Sequence, residues 1–283
     1  KAITIELPPE VVELVKSIVS RLGGDVGLIA KIETKSGLSN LDEIVSAADA
    51  VLVARGDLGL HVDLEKLPYI QREVARKSIS RGKPCIVATQ LLESMTQHPR
   101  PSRSEVVDVV NAVNDLVDAL LLTDETAIGK YPVEAVRWLK KIVEAAEKSM
   151  DKRVVESYRE SLAHASLREK HAAGLVLLAE SIEAKVLIYT RMGTLPPLIS
   201  RVRPQTPVYV GAGCAKLARK LTLYYGLTPV YLQSSGELSY EQGVEKLYQK
   251  LVENGVLKYG DVVVEAFSKR DAGIHEVRVK QVI

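Results

Sequence analysis

The feature that most constrains this chain is a repeat of short apolar runs, each followed by polar residues and then by a segment with helical periodicity. Four such runs lie in its first half: VGLIAKIE (26–33), DAVLVARGD (49–57), KPCIVATQ (83–90) and DALLLTDET (118–126). Strands and helices that alternate at this spacing form parallel βα units. The pattern therefore predicts an α/β fold with a parallel sheet, arranged as a barrel or as a doubly wound sheet.

Each of these apolar runs ends in polar side chains. The pairs are Lys31 and Glu33, Arg55 and Asp57, Thr89 and Gln90, and Thr123 and Glu125. In parallel barrels and in doubly wound sheets, ligands bind at the carboxyl ends of the strands. The four polar strand ends therefore predict one site.

The second half of the chain predicts a separate domain. A long helix (131–150) is followed by a charged segment (151–170), where we place the boundary between domains 1–155 and 160–283. The second domain should be α/β, with a mostly parallel sheet and one antiparallel edge strand. Its predicted helices are 170–183, 195–203, 214–226 and 240–255, and its predicted strands are 184–190, 207–211, 228–232, 260–267 and 276–283.

Composition excludes several classes of function. The 283 residues are 46% hydrophobic and 26% charged with a net charge of +2, which indicates a globular chain that binds neither nucleic acid nor membrane. No charged-then-apolar leader and no run of eighteen apolar residues is present. Cys85 and Cys214 are far apart, so we expect no disulfide framework and a reducing, cytoplasmic location. The scarcity of Cys and Phe beside abundant Glu and Lys indicates a thermophile.

Glu33 and Asp57 are the candidate metal ligands. They lie one βα unit apart at adjacent strand ends, and two carboxylates with open positions suit a hard divalent cation. Lys31 precedes Glu33 by two residues and so shares its face, where a cation would stabilise a substrate that develops negative charge. Gly56 allows close approach of the backbone, and the amides after it suit an anion.

Each feature by itself also has a purely structural interpretation. Lys31 and Glu33 suit a surface ion pair, Arg-Gly-Asp suits an ordinary loop, and Thr89 suits a satisfied hydroxyl at a strand end. Their joint occurrence on neighbouring strand ends favours a site, because those ends converge in space.

Longer stretches carry a family resemblance. AKIETKSGLSNLDEI, VLVARGDLG, KPCIVATQLLESMTQHPRPSRSEVVDVVNAV and LLLTDETAIGKYPVEAV resemble pyruvate kinase over residues 27–140. The second domain, with ISRVRP and a closing GD-strand, is similar to that family's C-terminal regulatory domain. The resemblance implies part of a (β/α)8 TIM-type barrel of archaeal or thermophilic type, which transfers phosphate from phosphoenolpyruvate to ADP to give pyruvate and ATP in glycolysis.

The resemblance also implies roles for individual residues. Lys31 would stabilise the transferring phosphoryl group, and Glu33 and Asp57 would bind Mg²⁺ (or Mn²⁺). The backbone amides of Gly56 and Asp57 would hold the substrate carboxylate, with Arg55 supporting that loop as one of the substrate-binding residues. Thr89 would lie beside the carbon that is protonated when enolpyruvate becomes pyruvate.

Partners and effectors follow from the same resemblance. Arg103 matches a residue near a subunit boundary, which implies a homo-oligomer. Thr190, Arg191 and Thr194 lie in TRMGTLPPLIS, which replaces the family's phosphate-binding loop, so they are candidates for binding an anionic effector. Sugar-bisphosphate activation is not expected, because two prolines reshape the helix start. A K⁺ site, the ADP-contacting residues and a lid would lie in an N-terminal half that these residues do not include.

The chain departs from the family in its number of strands. A closed barrel has eight strands, and four are predicted here. The fourth barrel strand of the family has no match, unless residues 1–25, beginning with KAITIE, substitute for it. TDETA also carries Asp124 where the family has Ser-Gly before Glu-Thr-Ala. We therefore expect these 283 residues to be inactive by themselves.

Two other functions remain open at this stage. A metal-enolate aldolase or lyase also uses Glu and Asp on neighbouring barrel strands, but it assigns no role to PRPSRSE or ETAIGKYP. A non-catalytic half-barrel that serves as an assembly module would need no carboxylates at positions 33 and 57.

Overall fold

The structure, a computed structural model, describes residues 2–5, 9–24, 26–163, 166–234, 236–269 and 274–283. The chain divides into two compact units, Lys1–Ser161 and Leu162–Ile283. Each unit is built on its own five-stranded sheet. Within the described ranges, none of the helices has the length and apolar composition that a membrane crossing requires.

The first unit has a fully parallel sheet in the order β1-β2-β3-β4-β5. Its strands are β1 (Ala2–Ile5), β2 (Gly27–Ile32), β3 (Ala50–Ala54), β4 (Cys85–Ala88) and β5 (Ala119–Leu121). Its helices are α1 (Pro9–Arg21), α2 (Lys35–Ser39), α3 (Leu41–Ala47), α4 (Arg55–Leu58), α5 (Leu67–Ser80), α6 (Arg103–Asn114), α7 (Asp124–Ala127), α8 (Pro132–Ser149) and α9 (Lys152–Glu160), with 3-10 turns at Leu64–Lys66 and Glu93–Thr96.

The first strand corrects the predicted count of four. β1 pairs in parallel with β2, with Ile5 opposite Ala30. Residues 2–5 therefore supply the strand beside β2, as expected if residues 1–25 substitute for the unmatched strand. The physical basis is the sequence AITI, which is rich in β-branched residues, followed by α1 as the crossover that a parallel pair requires.

Burial differs between the central strands and β2. Every residue of β3 and β4 is buried, as expected for parallel strands that are covered on both faces. In β2 the burial alternates: Leu28, Ala30 and Ile32 are buried, whereas Ile29 and Lys31 are half-buried. Lys31 thus lies on the more open face of the sheet, two residues before the end of the apolar run.

The second unit contains β6 (Lys185–Thr190), β7 (Val208–Ala212), β8 (Leu227–Tyr231), β9 (Val262–Lys269) and β10 (Ile274–Gln281). Its helices are α10 (Leu167–Ser181), α11 (Leu195–Arg201), α12 (Ala215–Leu221) and α13 (Tyr240–Glu253). The strand order is β10-β9-β6-β7-β8, and β10 alone of these strands is antiparallel to its neighbour. The prediction of a mostly parallel sheet with one antiparallel edge is confirmed.

This second sheet has a hydrophobic core on each face. On one face, buried residues of α10, α11 and α12 such as Val176, Ile199 and Leu221 join Val186 and Val264 of the sheet. On the other face, α13 supplies Val244, Leu247 and Leu251. The two helical layers account for the continuous apolar runs of the parallel strands.

One helix of this unit is shorter than its sequence predicts. The prediction extended it over 214–226, but α12 ends at Leu221. Two tyrosines in the remaining segment make tertiary contacts instead: Tyr224 packs against the core, and the ring of Tyr225 lies 4.9 Å from the Arg203 guanidinium. Gly226, with φ of 71°, then turns the chain into β8.

Candidate active site

Lys31 lies between two carboxylates at the ends of neighbouring strands. Its Nζ forms an ion pair with Glu33 Oε2 and lies 3.9 Å from Asp57 Oδ2. Glu33 directly follows β2, and Asp57 lies in the single-turn helix α4 that follows β3. Because β2 and β3 are paired in parallel, their carboxyl ends meet at the same edge of the sheet. Both predicted metal ligands therefore lie close to the same ammonium group.

The burial of these groups is graded. The side chain of Glu33 is 13% exposed and that of Asp57 is 59% exposed, so one carboxylate is enclosed and the other faces solvent. Glu33 Oε2 is buried, and its recorded partner is the Lys31 ammonium. An ionised carboxylate has about four lone-pair sites on its two oxygens, so one ammonium leaves coordination capacity for a metal ion.

A larger cluster of metal ligands is not found. Among the described residues, no group of three or more His, Cys, Asp or Glu side chains is placed to hold a metal ion. Mg²⁺ is commonly bound through one or two carboxylates, with waters and substrate oxygens completing its coordination. The donor set of Glu33 and Asp57 fits that type of site.

Arg55 is buried and serves the protein's own backbone. Its Nε and Nη2 donate to the Thr89 carbonyl at 3.2 and 2.7 Å, and Nη2 also donates to the Gln90 carbonyl at 2.8 Å. Its Nη1 lies 2.6 Å from Asp108 Oδ2. With only 6% of the residue exposed, the guanidinium holds the loop after β4. The sequence-based expectation gave Arg55 a supporting role for a loop and a place among the substrate-binding residues; its recorded contacts are to this loop and to Asp108.

The Thr89 hydroxyl joins the ends of β3 and β4. Its Oγ1 donates to the Ala88 carbonyl at 2.6 Å and accepts the Gly56 N–H at 2.9 Å. The Gly56 amide, which the sequence assigns to an anion, is therefore engaged by a hydroxyl oxygen in this structure. An incoming carboxylate oxygen would have to replace Thr89 Oγ1 there.

The backbone is strained at the same point. Thr89 and Gln90 have φ of 66° and 53°, in the left-handed region that non-glycine residues rarely occupy. The left-handed conformation costs about 1–2 kcal/mol for each such residue, and a β-branched residue such as Thr is an unusual occupant. The three hydrogen bonds from Arg55 to the carbonyls of this pair offset that cost.

Two acidic residues to which sequence reasoning gave no individual role organise the site's surroundings. Asp108, which binds Arg55, lies in the middle of α6 and is indistinguishable in sequence from a surface residue of an amphipathic helix. Glu125 is 1% exposed, and its carboxylate accepts the N–H groups of Leu92 at 2.9 Å and Thr123 at 2.8 Å. The sequence did note Glu125 as a polar strand end, and that was the available signal.

A third acidic residue, Glu105, ties the start of α6 to the loop after β4. It forms a capping box with Ser102 and also accepts the backbone N–H of Ser94 at 2.7 Å and its hydroxyl at 2.5 Å. Burial acts to raise the pKa of the Glu105 carboxyl, but the hydrogen bonds from Ser94 and Ser102 outweigh it and hold that pKa below its usual value.

The remaining predicted residues lie elsewhere. Arg103 is exposed and begins α6. In the second unit, the buried Thr190 hydroxyl accepts the Gly193 N–H at 2.8 Å, and Arg191 forms an ion pair with Glu237. Thr194 is exposed at the start of α11 and makes no capping hydrogen bond. Two of the three candidate effector residues are thus engaged within the chain.

Comparison with known proteins identifies both units. The profile of the pyruvate kinase barrel domain matches residues 9–136, and that of the pyruvate kinase alpha/beta domain matches residues 169–270. Pyruvate kinase of Pyrobaculum aerophilum is 40% identical over 269 residues, which cover 95% of this chain and 54% of the relative. The chloroplastic pyruvate kinase isozyme G of Ricinus communis is 32% identical, over 99% of this chain and 68% of the relative.

A solved structure agrees with these matches. The crystal structure of pyruvate kinase from Pyrobaculum aerophilum superimposes with a TM-score of 0.85 at 38% identity, covering 99% of this chain and 63% of that one. The chain thus spans little more than half the length of the Pyrobaculum relative. On these matches, which extend over both units, the chain belongs to the pyruvate kinase family.

Proposed function

We propose that this chain carries the phosphoenolpyruvate-binding and metal-binding part of a pyruvate kinase, which transfers phosphate from phosphoenolpyruvate to ADP in glycolysis. In that reaction the bond between phosphorus and the enol oxygen breaks, a bond to an ADP oxygen forms, and the enolpyruvate carbon takes up a proton. The observation that carries the proposal is the Lys31 ammonium between the Glu33 and Asp57 carboxylates. Phosphoryl transfer depends mainly on positioning and on neutralising charge, which this cluster supplies.

Glu33 and Asp57 would hold Mg²⁺ or Mn²⁺. When bound, the ion would neutralise negative charge on the phosphate and enolate oxygens. The chain's own contribution is the Lys31 ammonium, which would stabilise the phosphoryl group as it moves. Lys31 is only 30% exposed, so its charge acts in partly dehydrated surroundings where it is worth more than in bulk water.

Thr89 and the amides after β3 would position the organic part of the substrate. The amides of Gly56 and Asp57 would bind the substrate carboxylate. The Thr89 hydroxyl, which accepts the Gly56 N–H in this structure, would release that N–H and contact the substrate instead. Thr89 would then lie near the carbon that receives the proton. Arg55 would act from behind this turn rather than by touching the substrate.

Other features of the whole enzyme remain proposals drawn from the family. We assign the first domain (1–155) to catalysis and the second (160–283) to regulation, with an anionic effector near Thr190, Arg191 and Thr194. K⁺ and ADP would bind mainly to parts of the barrel and lid that these residues do not include. The enzyme would be a cytoplasmic homo-oligomer, with the exposed Arg103 near a subunit boundary.

Calorimetry on the purified chain tests the proposal. Phosphoenolpyruvate should bind in the presence of Mg²⁺, and Glu33→Gln should abolish the metal-dependent heat because it removes a carboxylate charge from the site. Glu43→Gln is the control, since Glu43 is an exposed glutamate on α3 of the same unit. Absence of Mg²⁺-dependent binding to the unaltered chain, or unchanged binding to Glu33→Gln, would contradict the proposal.

A further inference from the structure

The turn that carries Thr89 is held in place by one side chain. Thr89 and Gln90 adopt left-handed φ angles of 66° and 53°, and neither is a glycine. Both of their carbonyls accept hydrogen bonds from the Arg55 guanidinium. Without these bonds, the two residues would relax toward ordinary φ values, since an L-residue leaves the left-handed region unless its surroundings hold it there.

The guanidinium is itself fixed by Asp108. Nε and Nη2 of Arg55 point at the turn, and Nη1 lies 2.6 Å from Asp108 Oδ2. The Arg55 side chain is 7% exposed, so water can solvate its positive charge only slightly. The Asp108 carboxylate therefore supplies the neutralising charge. A planar guanidinium that is held at Nη1 presents Nε and Nη2 in one defined orientation.

We infer that Asp108 is a positioning residue: by orienting Arg55, it keeps Thr89 and Gln90 in their left-handed conformation and so aims the Thr89 hydroxyl at the Gly56 amide. The inference rests on the proposed function for its link to catalysis. Asp108 itself touches neither the Lys31 cluster nor the Gly56 amide among its recorded contacts, and it acts only through Arg55.

The first test follows the Gly56 amide in the full 283-residue chain, by hydrogen exchange measured with NMR. The Gly56 N–H is bonded to Thr89 Oγ1 at 2.9 Å and should be protected. Asp108→Asn keeps the shape of the side chain but removes its charge, and it should speed Gly56 exchange by at least about tenfold, as expected for losing a charge-assisted hydrogen bond. Arg55→Lys, which cannot bond both carbonyls from one plane, should do the same.

The decisive variant adds a glycine at the strained turn. Gln90 is exposed, so Gln90→Gly changes no buried side chain, and glycine occupies positive φ without a steric penalty. In the Asp108→Asn background, Gln90→Gly should restore most of the Gly56 protection. If Asp108 contributed only to the general stability of the fold, Gln90→Gly would not restore the Gly56 protection.

The matched control is Asp115→Asn at the end of the same helix. Asp115 Oδ1 accepts the Arg72 Nε–H at 2.8 Å, so this change also removes an acidic partner of an arginine, and the recorded contacts of Asp115 are to α5 rather than to Arg55 or the turn. It should leave Gly56 exchange unchanged. Equal acceleration in Asp108→Asn and Asp115→Asn, or no acceleration in Asp108→Asn with an unaltered urea midpoint, would overturn the inference.

Binding of Mg²⁺ and phosphoenolpyruvate separates this inference from the proposed function. Weaker binding in Asp108→Asn, by about tenfold, with rescue by Gln90→Gly, would support both. Faster Gly56 exchange with unchanged binding would overturn the catalytic part of the inference and the proposed role of Thr89. If the unaltered chain binds no phosphoenolpyruvate, the proposed function fails for this chain, and the link from Asp108 to catalysis fails with it.

Discussion

Both units are built on a five-stranded sheet with helices, but the charged groups at their strand ends are arranged differently. In the first unit, Lys31 contacts two carboxylates, Glu33 and Asp57, that follow two different strands. In the second, the Thr190 hydroxyl is used by the Gly193 amide and Arg191 by Glu237. A parallel sheet thus supplies the place for a site, while the chemistry depends on which charged side chains its strand ends bring together.

A buried charge in the second unit sharpens the contrast. Glu265 is 1% exposed, and its carboxylate lies 2.9 Å from Lys280 Nζ, which also lies 3.4 Å from Glu245. Burial acts to lower the pKa of Lys280, but its interactions with Glu265 and Glu245 outweigh burial and raise that pKa. Burial by itself therefore does not mark a functional charge, because this one is neutralised within the fold.

The largest expected effect concerns the polypeptide of 283 residues taken alone. The described strands of its first sheet form an open row of five rather than a closed ring, so water would reach the Lys31 cluster and weaken each electrostatic contact. We expect pyruvate formation at least about 1,000-fold slower than in a chimera in which these residues replace the matching part of the Pyrobaculum relative. A coupled assay, with mass spectrometry to verify the chain, measures both; equal rates would refute the argument from the open sheet.

The next effect tests whether the strand-end cation differs from a surface cation. In that chimera, Lys31→Met should lower turnover about 100- to 1,000-fold, while phosphoenolpyruvate affinity changes far less, because the charge is needed most in the transition state. Lys77→Met is the matched control: Lys77 also contacts two carboxylates, Asp42 at 3.0 Å and Glu73 at 3.2 Å, but on a helix surface. Equal losses of turnover in Lys31→Met and Lys77→Met, measured by steady-state kinetics, would mean that Lys31 acts no differently from a surface lysine.

Much of the first unit follows from its sequence, because alternating strands and helices and strand-end polarity are local patterns. The proximity of Glu33 and Asp57 needed only the knowledge that neighbouring parallel strands end at one edge. The Asp108–Arg55 pair was missed because it joins a mid-helix position to a strand end, and no local pattern encodes that contact. The left-handed turn at Thr89 was missed because neither residue there is glycine or asparagine, the usual signal for positive φ.

In the second unit the errors were at the ends of elements. α12 stops at Leu221 although helical spacing continues, because Tyr224 and Tyr225 gain more from tertiary packing than from another helical turn. Local periodicity cannot register a competing contact of that kind. In the first unit, the β1 strand was left undecided, because its pairing with β2 depends on the crossover through α1.

A smaller effect is expected at the solvent-facing carboxylate of the first unit. Asp57→Asn should weaken Mg²⁺ binding in the presence of phosphoenolpyruvate by at least about tenfold, the lower range seen when even an outer partner of a metal ligand is changed. Asp63→Asn is the control, because Asp63 is also exposed and its carboxylate contacts Lys66 at 2.6 Å. Calorimetric titration with Mg²⁺ measures the affinity of both variants. Equal affinities would mean that Asp57 is an ordinary loop residue.

Helix capping offers a comparison of stability between the units. Both α6 and α13 begin with a capping box, but Glu105 also accepts two hydrogen bonds from Ser94, whereas Gln242 serves its own cap. Glu105→Ala should therefore lower the free energy of unfolding by about 2 kcal/mol more than Gln242→Ala, since each of the two further hydrogen bonds contributes about 1 kcal/mol. Urea unfolding of the two variants measures the difference, and equal losses would mean that the Ser94 contacts add no stability.

The smallest effect is a pH dependence confined to the second unit. The rings of His171 on α10 and His275 on β10 lie 5.1 Å apart, and burial, followed by the charge of His275, lowers the pKa of His171. The unfolded chain then binds a proton more readily than the folded one, so stability should fall as the pH drops through about 6.5, the unfolded value, toward the lowered pKa. His171→Phe should flatten this dependence in the exchange of β9 amides, and His61→Phe, at an exposed position of the first unit, should not. A slope that persists in His171→Phe would assign it to another group and leave the histidine pair with a packing role.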